Sequence, residues 1–450
     1  MKIYIIVILL ISVSTHYFQT DTVKYPWPTP PFNSSKGLNG TFGEFRNTGS
    51  ADHFHNAVDI GEPDGNPVYP CISGEVYYLS NNGYDSYINV RSIINNQKKH
   101  ITYYHVVPNP AISIGQQVIA GETVIGTIYV GAAHVHLIER ELLSLSSSEI
   151  GNEINPVRPE GGLFPYYDSY APSISSSSLT FFKDNSSITI PSDQLSGKVD
   201  IRIEVREKNG PLFSHGNNGT YILGYRILSE DGNQIIYEPE DNGMKYRFYY
   251  IPYDSYVHQV FVKNVATLSD PIYWLTNGNG QAQINSTLTV GNNYLNTDLL
   301  DEGSYLLEIF SEDTRENQTF KRFNFSVIKL PPELLAVENK NDSIYISWTP
   351  YNLNDLKGYR IYYTDNNALS DWNLAADENE LTANVNSISF GGPQEFNTPS
   401  AQNKFYFYLT AVKEDGTESS QSDIYSLSIA GPDEPSVLIV DGFDLYGGKG

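Results

Sequence analysis

The chain has 450 residues, a formal net charge of −24 and one cysteine. It is too long for one ordinary domain and, at roughly 150 residues per domain, predicts about three. The acidity argues against a nucleic-acid or anionic-membrane partner, because phosphate binding relies on clusters of Lys and Arg. The single cysteine excludes an intrachain disulfide and a Cys-rich zinc knuckle.

The first residues have the pattern of a secretory signal. Met1-Lys2 gives a basic start, an apolar run occupies residues 3–13, and Ser14-Thr15 adds small polar residues. Such a run is too short to span a bilayer comfortably. We assign residues 1–18 to this signal and expect an exported chain, periplasmic, cell-surface or extracellular, with no membrane span after removal of the signal.

The remaining composition predicts a mainly β protein. Tyrosines number 34, Gly and Pro are frequent, and helical periodicity is scarce, which favours short strands joined by turns. A Pro-rich lead, residues 25–28, is predicted to be extended and surface-lying, since prolines lack the donors that a strand needs.

Residues 19–168 are predicted to form an antiparallel β domain. From Phe42 onward, short apolar runs alternate with Gly, Asn and Pro turns. Gly115 and Gly121 fall where tight turns need positive φ. The proline-containing segment 155–172 is expected to be an exit strap and linker.

Two sandwich domains are predicted to follow, at residues 169–330 and 331–430. The first shows strict alternation over residues 199–205. The second resembles a fibronectin type III domain, with Trp348 late in an early strand, the strand 358–362, and an aromatic strand over 405–412. This resemblance implies a sandwich but no activity. Residues 431–450 start a buried-looking strand, so we expect them to begin a further, truncated domain of a longer protein.

The residues that could bind a metal ion lie close together in the sequence of the first predicted domain. In a strand, His134 and His136 would project from one face, about 6–7 Å apart at the backbone. His55 and Asp59 would share a face in either a strand or a helix, and the surrounding residues favour a strand. Two imidazole nitrogens and a carboxylate oxygen suit zinc, and three protein ligands leave a position for water. Spacing alone leaves open whether His134 or His136 is the ligand.

The ordered set of motifs resembles the M23, or LytM/lysostaphin-type, zinc peptidases. Its parts are His55-Asn56-Ala57-Val58-Asp59, then Tyr104-His105, then His134-Val135-His136. The match extends to Thr41-Phe42-Gly43-Glu44-Phe45-Arg46, Gly65-Asn66-Pro67-Val68-Tyr69, Ser73-Gly74-Glu75-Val76 and Gly115-Gln116-Gln117-Val118. The resemblance implies that His55, Asp59 and His136 hold one zinc ion per chain. It also implies that His105 and His134 are catalytic and that the substrate is a peptide, above all in peptidoglycan.

Two departures from the family pattern define further expectations. Ala57 stands where members usually carry Gly, so its methyl group is expected to lie between the two ligands and to narrow the cleft. The loop 126–133 is shorter and more apolar than is usual. Arg46 is expected either to contact a substrate carboxylate or to be solvated, and Glu139 and Glu141 are expected to form a charged, solvent-prone edge.

Two other functions stay open from sequence. One is a non-enzymatic activator or binding protein of the cell envelope, whose sandwich domains engage an envelope partner. The other is a peptidase of extracellular proteins. The sequence lacks a Gly-x-Ser-x-Gly elbow, a phosphate loop and a His-Glu-x-x-His motif. These absences argue against a serine hydrolase, a nucleotide-binding protein and a thermolysin-like peptidase.

Overall fold

A computed structural model describes most of the chain, and all structural statements below concern its described residues. These are residues 22–47, 51–142, 151–209, 219–239, 242–278, 293–329, 332–340, 343–351, 355–391, 396 and 404–428. The predicted signal and the predicted truncated domain lie outside them. The described residues are mainly β, as expected, and none of their helices is long and apolar enough to cross a membrane.

The chain divides into two compact units. The first contains residues 1–185, 200–294 and 306–323, and the second contains residues 186–199, 295–305 and 324–450. The domain limits given above stay predictions.

The first part of the chain contains fifteen described strands. They are β1 (Lys24–Tyr25), β2 (Leu38–Gly40), β3 (Phe45–Arg46), β4 (His53–Phe54), β5 (Val58–Gly61), β6 (Pro67–Val68), β7 (Gly74–Ser80), β8 (Tyr87–Ile94), β9 (Gln97–Tyr104), β10 (Val106–Pro108), β11 (Gln117–Val118), β12 (Gly126–Ile128), β13 (His134–Leu142), β14 (Asn152–Ile154) and β15 (Gly162–Leu163). A 3-10 turn occupies Gly83–Asp85.

Seven strands of this part follow one another in a sheet ordered β11-β7-β8-β9-β13-β5-β2, and β14 also pairs with β13. The pairs within this sheet whose register is resolved are antiparallel, as predicted. Alternation along β13 puts Val135 and Leu137 in the core and leaves His134 and His136 on the more accessible face. A smaller sheet, ordered β10-β12-β6, completes the domain. Gly115 and Gly121 have φ of 86° and 68°, which confirms the turn prediction.

Two local expectations for this part of the chain are wrong. The Pro-rich lead is buried, since Trp27 is fully inaccessible and donates its indole N–H to the Pro165 carbonyl. The segment predicted as an exit strap packs partly into the interior, where Arg158 is fully buried. Residues 55–59 are not one continuous strand, because β4 ends at Phe54 and β5 begins at Val58.

The strands of the middle region are β16 (Ser173–Ile174), β17 (Thr180–Lys183), β18 (Thr189–Ile190), β19 (Lys198–Arg206), β20 (Ile222–Ser229), β21 (Ile235–Tyr237), β22 (Met244–Arg247), β23 (Ile272–Trp274), β24 (Leu295–Asn296), β25 (Gly303–Glu312) and β26 (Gln318–Val327). Its helical segments are the 3-10 turns Ser176–Ser178, Asp254–Tyr256 and Thr297–Leu299 and the single α-turn α1 (Val257–Val260). In the first unit, β19 pairs with β16 and β23, and β20 pairs with β21 and β22.

The last strands form two sheets in the second unit. They are β27 (Leu334–Lys340), β28 (Ser343–Trp348), β29 (Leu356–Thr364), β30 (Asn373–Ala376), β31 (Ser387–Phe390), β32 (Lys404–Lys413) and β33 (Tyr425–Ser428). The sheets are ordered β27-β28-β31 and β30-β29-β32-β33. Trp348 is fully buried and lies edge-on to Tyr359 at 5.3 Å between ring centroids, in the sandwich core that the sequence predicts.

Candidate metal centre

Three side chains converge on one point of the large sheet. Asp59 on β5 lies directly opposite His136 on β13, and His55 approaches from the bend before β5. His55 Nε2 lies 3.2 Å from Asp59 Oδ1 and 3.1 Å from His136 Nδ1, and His136 Nδ1 lies 2.9 Å from Asp59 Oδ1. The structure therefore brings together the three residues that the resemblance implies as ligands.

The protonation of these three groups leaves a place for a cation. Nδ1 of His55 lies 2.8 Å from the Thr41 carbonyl oxygen, so this nitrogen carries the proton and Nε2 keeps its lone pair. The three facing atoms of His55, Asp59 and His136 are then all acceptors. At most one proton, carried by His136, lies between them. A tetrahedral ion with Zn–N bonds of about 2.0–2.1 Å places neighbouring ligand atoms ~3.3 Å apart, close to the observed spacings. The donor set and its geometry fit zinc.

Burial acts on both the carboxylate and the imidazole of this group. Burial tends to raise the pKa of Asp59, but His55 and His136 hold that pKa well below its usual range. Burial lowers the pKa of His136 to about 4 against the opposing effect of Asp59. Near neutral pH the carboxylate is therefore charged and the imidazole is neutral, which are the forms that bind a metal ion.

The second carboxylate oxygen of Asp59 is held by Arg46. Arg46 Nη2 lies 2.9 Å from Asp59 Oδ2 and also pairs with Glu44. A Cβ atom on Gly40 would come within 2.2 Å of Arg46 Nη2 and 2.6 Å of Asp59 Oδ2, so a side chain at this position would displace the Arg46–Asp59 contact. The expectation that Arg46 is solvated is wrong, because its guanidinium is largely buried and holds the Asp59 carboxylate. Its contact with a substrate carboxylate stays a prediction.

Two further histidines flank the ligand group. His134 Nε2 lies 3.7 Å from Asp59 Oδ1, while its Nδ1 faces the Ala132 carbonyl at 2.5 Å. His105 Nδ1 faces the Tyr84 carbonyl at 2.7 Å, and the rings of His105 and His134 are 4.8 Å apart. Each Nδ1 donates its proton to a carbonyl oxygen, so each Nε2 is left as a base. Burial lowers the pKa of His105, which favours the neutral ring.

The backbone is unusual at both flanking histidines. His105 has φ of 61°, just after β9 ends, and Ala133, before His134, has φ of 54°. Non-glycine residues seldom adopt this left-handed conformation, and it recurs at functional sites. The loop before His134 is fixed by Asp64, whose carboxylate accepts the N–H groups of Gly131 and Ala133, each at 2.7 Å.

The segment leading into His55 is supported by the middle region. Asp254 Oδ1 accepts the Phe54 N–H at 3.0 Å, and the Phe261 ring lies 5.2 Å from Phe45 and 5.8 Å from Phe54. The strand pair β3–β4 is therefore held on one side by residues far along the chain.

One sequence expectation at the centre needs correction. Ala57 is fully buried, and His55 Nε2 and Asp59 Oδ1 touch directly, so the methyl group lies neither between the ligand atoms nor in an open cleft. His53 stays outside the group, and its Nδ1 lies 2.9 Å from the Ala51 carbonyl oxygen.

Glu139 and Glu141 are buried rather than a solvent-prone edge, with exposures of 1% and 4%. Lys99 Nζ lies 3.1 Å from Glu139 and 3.3 Å from Glu141, and Arg158 lies 2.8 Å from Glu139. Tyr25 and Tyr250 also donate to these carboxylates. The pair is a structural ion cluster beneath the sheet, and the expectation of a charged edge is wrong.

Sequence reasoning missed several supporting residues. Thr41 and Glu44 stand in the quoted motif Thr41 to Arg46 but were given no role. Tyr84 and Ala132 act through backbone oxygens, for which a sequence carries no signal. Asp64 lies in a turn, directly before Gly65. An acidic residue in a turn was the one sequence clue that its carboxylate binds the loop before His134.

Comparison with known proteins supports a peptidase domain in this part of the chain. Residues 53–145 match the model of Peptidase family M23. The catalytic domain of the prophage-encoded M23 protein EnpA from Enterococcus faecalis is 21% identical, covers 28% of this chain and 94% of its own, and has a TM-score of 0.22. The catalytic domain of the antimicrobial peptidase lysostaphin from Staphylococcus simulans is 24% identical, with coverages of 27% and 89% and a TM-score of 0.21.

Other solved structures resemble the later domains. A segment of two fibronectin type III domains from chicken tenascin is 9% identical, covers 58% of this chain and all of its own, and has a TM-score of 0.25. None of the curated protein sequences compared with this chain matches it. The described residues form an antiparallel β domain that contains the segment matching Peptidase family M23, followed by further β-sheets.

Proposed function

From the match of residues 53–145 to Peptidase family M23, we propose that this protein is an exported zinc metalloendopeptidase that hydrolyses amide bonds in peptidoglycan peptides. The observation that carries the proposal is the convergence of His55 Nε2, Asp59 Oδ1 and His136 Nδ1 within 3.2 Å of one another. The two flanking histidines add bases beside this point. This combination suits metal-assisted hydrolysis.

His55, Asp59 and His136 would hold the zinc ion, which would bring the pKa of a bound water near ~7 and polarise the substrate carbonyl. Arg46 keeps the Asp59 carboxylate in place through Oδ2. The Thr41 carbonyl keeps His55 in the tautomer that directs a lone pair to the centre.

The flanking histidines move the proton. The Nε2 atom of His105 or His134 accepts a proton from the attacking water as the new C–O bond forms. The resulting imidazolium stabilises the oxyanion of the tetrahedral intermediate and then gives its proton to the amide nitrogen as the C–N bond breaks. The carbonyl contacts of Tyr84 and Ala132 hold both rings in the required tautomer.

The proposed substrate and the proposed export are supported by sequence features. The order of the three motifs resembles peptidases of the bacterial cell wall, and the start of the chain has the pattern of a secretory signal. The fibronectin III-like sandwiches would engage an envelope partner or the wall itself.

The test is hydrolysis of purified peptidoglycan sacculi by wild type and by His134→Ala, with bound zinc measured in both. We expect wild type to release new amino groups and to bind one zinc ion, and the variant to keep zinc and lose amine release. Equal amine release from both proteins overturns the enzyme proposal. Cleavage of a Gly-rich protein without cleavage of sacculi would overturn the peptidoglycan substrate alone.

A further inference from the structure

A second group of carboxylates lies within the first unit. Asp168, Glu207 and Asp313 each place one oxygen within 4.8 Å of the others. Asp168 lies in the segment that leaves the first sheet, Glu207 follows β19, and Asp313 follows β25. Three segments distant in sequence therefore bring negative charge to one place.

These carboxylates line a small cavity of about 20 Å³. A volume of this size holds one water-sized occupant. The neutral oxygens of the lining include those of Thr41 and Thr220. Oxygen atoms on a confined space for one occupant are the surroundings that hard cations require.

Glu207 has an oxygen without a partner. It is 2% exposed, and its Oε1 accepts the Lys208 N–H at 2.8 Å. Its Oε2 is buried and has no hydrogen-bond partner. A buried carboxylate oxygen without a partner is costly and calls for an occupant that supplies positive charge.

The guanidinium of Arg315 interacts electrostatically with Asp313 and Asp168 but makes its hydrogen bonds elsewhere. The side chain of Arg315 donates to the carbonyl oxygens of three residues, Thr314, Val157 and Arg158. Asp313 is occupied by the N–H groups of its own turn, from Arg315 and Asn317. Burial, then the negative charges of Asp313 and Asp168, raises the pKa of Glu207 well above its usual range.

We propose that Asp168, Glu207 and Asp313 form a binding site for a hard divalent cation of the calcium type, separate from the zinc centre. Calcium takes six to eight oxygen ligands in flexible geometry, whereas magnesium demands a near-ideal octahedron. The irregular set of carboxylate and neutral oxygens from separate segments suits the larger ion.

The proposed calcium site lies next to Thr41, which helps to orient a ligand of the proposed zinc centre. Thr41 lines the cavity, and its Oγ1 donates to the Gly219 carbonyl at 3.1 Å. The carbonyl of Thr41 accepts the Nδ1 proton of His55. A cation in the cavity would therefore lie against the residue that orients the first zinc ligand.

The test uses the full chain, freed of divalent ions on a chelating resin and then supplied with one equivalent of zinc. Calcium chloride is titrated while the Tm is followed, and terbium chloride is titrated in parallel. We expect the Tm to rise by about 5 °C when calcium reaches 100 times its Kd. Terbium luminescence, sensitised by the lining Tyr166 and Tyr221, should saturate at one ion.

Matched variants identify the site. Glu207→Gln keeps the shape of the side chain and should weaken calcium binding at least ~10-fold, because it removes one of three carboxylates. Glu230→Gln, at an exposed turn after β20, should leave the response unchanged. Asp168→Asn provides a second site variant if Glu207→Gln does not fold.

Three outcomes would overturn the proposal. They are a wild type whose Tm and terbium luminescence do not respond, an unchanged calcium response in the site variants, and loss of the response in His55→Ala. The first means that the cavity holds water or shared protons, and the last means that calcium binds at the zinc centre. None of these results depends on hydrolysis of sacculi, so the peptidase proposal is tested separately.

Discussion

Arg46 Nη2 lies 2.9 Å from Asp59 Oδ2, on the side of the carboxylate that faces away from His55 and His136. The contact leaves Oδ1 directed at the two imidazoles, and Glu44 balances the guanidinium charge. The side chain of a residue 13 positions earlier in the chain thereby fixes the orientation of a proposed metal ligand.

Arg46→Met should weaken zinc binding about 10- to 100-fold, because the carboxylate loses the partner that orients it. The zinc Kd is measured by competition with a chromogenic chelator. Arg91→Met, which removes a partly exposed pair with Glu75 on the same sheet, is the control and should keep the wild-type Kd. An unchanged Kd in Arg46→Met would show that Asp59 needs no support.

Substitutions should distinguish a proposed zinc ligand from a histidine that is proposed to transfer a proton. His55→Ala should lose bound zinc and activity together, because one of three proposed ligand atoms is gone. His105→Ala should keep zinc and lose turnover on sacculi by about 100- to 10,000-fold, since only proton transfer is affected. Metal analysis of both purified variants checks this, and zinc loss in His105→Ala would contradict the assigned roles.

Lys99→Met should destabilise the first unit by about 3–5 kcal/mol, because Glu139 and Glu141 stay buried after losing their shared cation. Urea unfolding at pH 7 measures the loss. Arg91→Met removes a partly exposed pair with Glu75 and should cost at most about 1 kcal/mol. Comparable losses in the two variants would mean that the buried cluster contributes no more than a surface pair.

His100 should make stability depend on pH. Burial, with Arg91, Lys98 and Arg140, lowers its pKa from 6.5 to about 4 in the folded chain. The unfolded chain therefore binds the proton more tightly, so this contribution to stability is complete above pH 6.5 and is lost as pH falls toward 4. His100→Gln should show a smaller drop in Tm between pH 7 and pH 4.5 than wild type, and equal drops would rule out this role.

The sequence already determined the residue types at the candidate site and the class of the fold. The spacing of His134 and His136 fixes a shared face in any strand, and turn residues separate runs of strand length, so the β class and the residue types of the candidate metal centre were predictable. The predicted turns at Gly115 and Gly121 were confirmed for the same local reason, since positive φ favours glycine.

Only the tertiary structure decided which partners these side chains meet. The direct contact of His55 with Asp59, the burial of Ala57 and the Arg46 bridge depend on how β2, β5 and β13 pair across the sheet. Glu139 and Glu141 look solvent-exposed in sequence, yet Lys99 and Arg158 neutralise them from other segments. Residue type and spacing act locally, whereas burial and charge pairing depend on chain segments that only the folded sheet brings together.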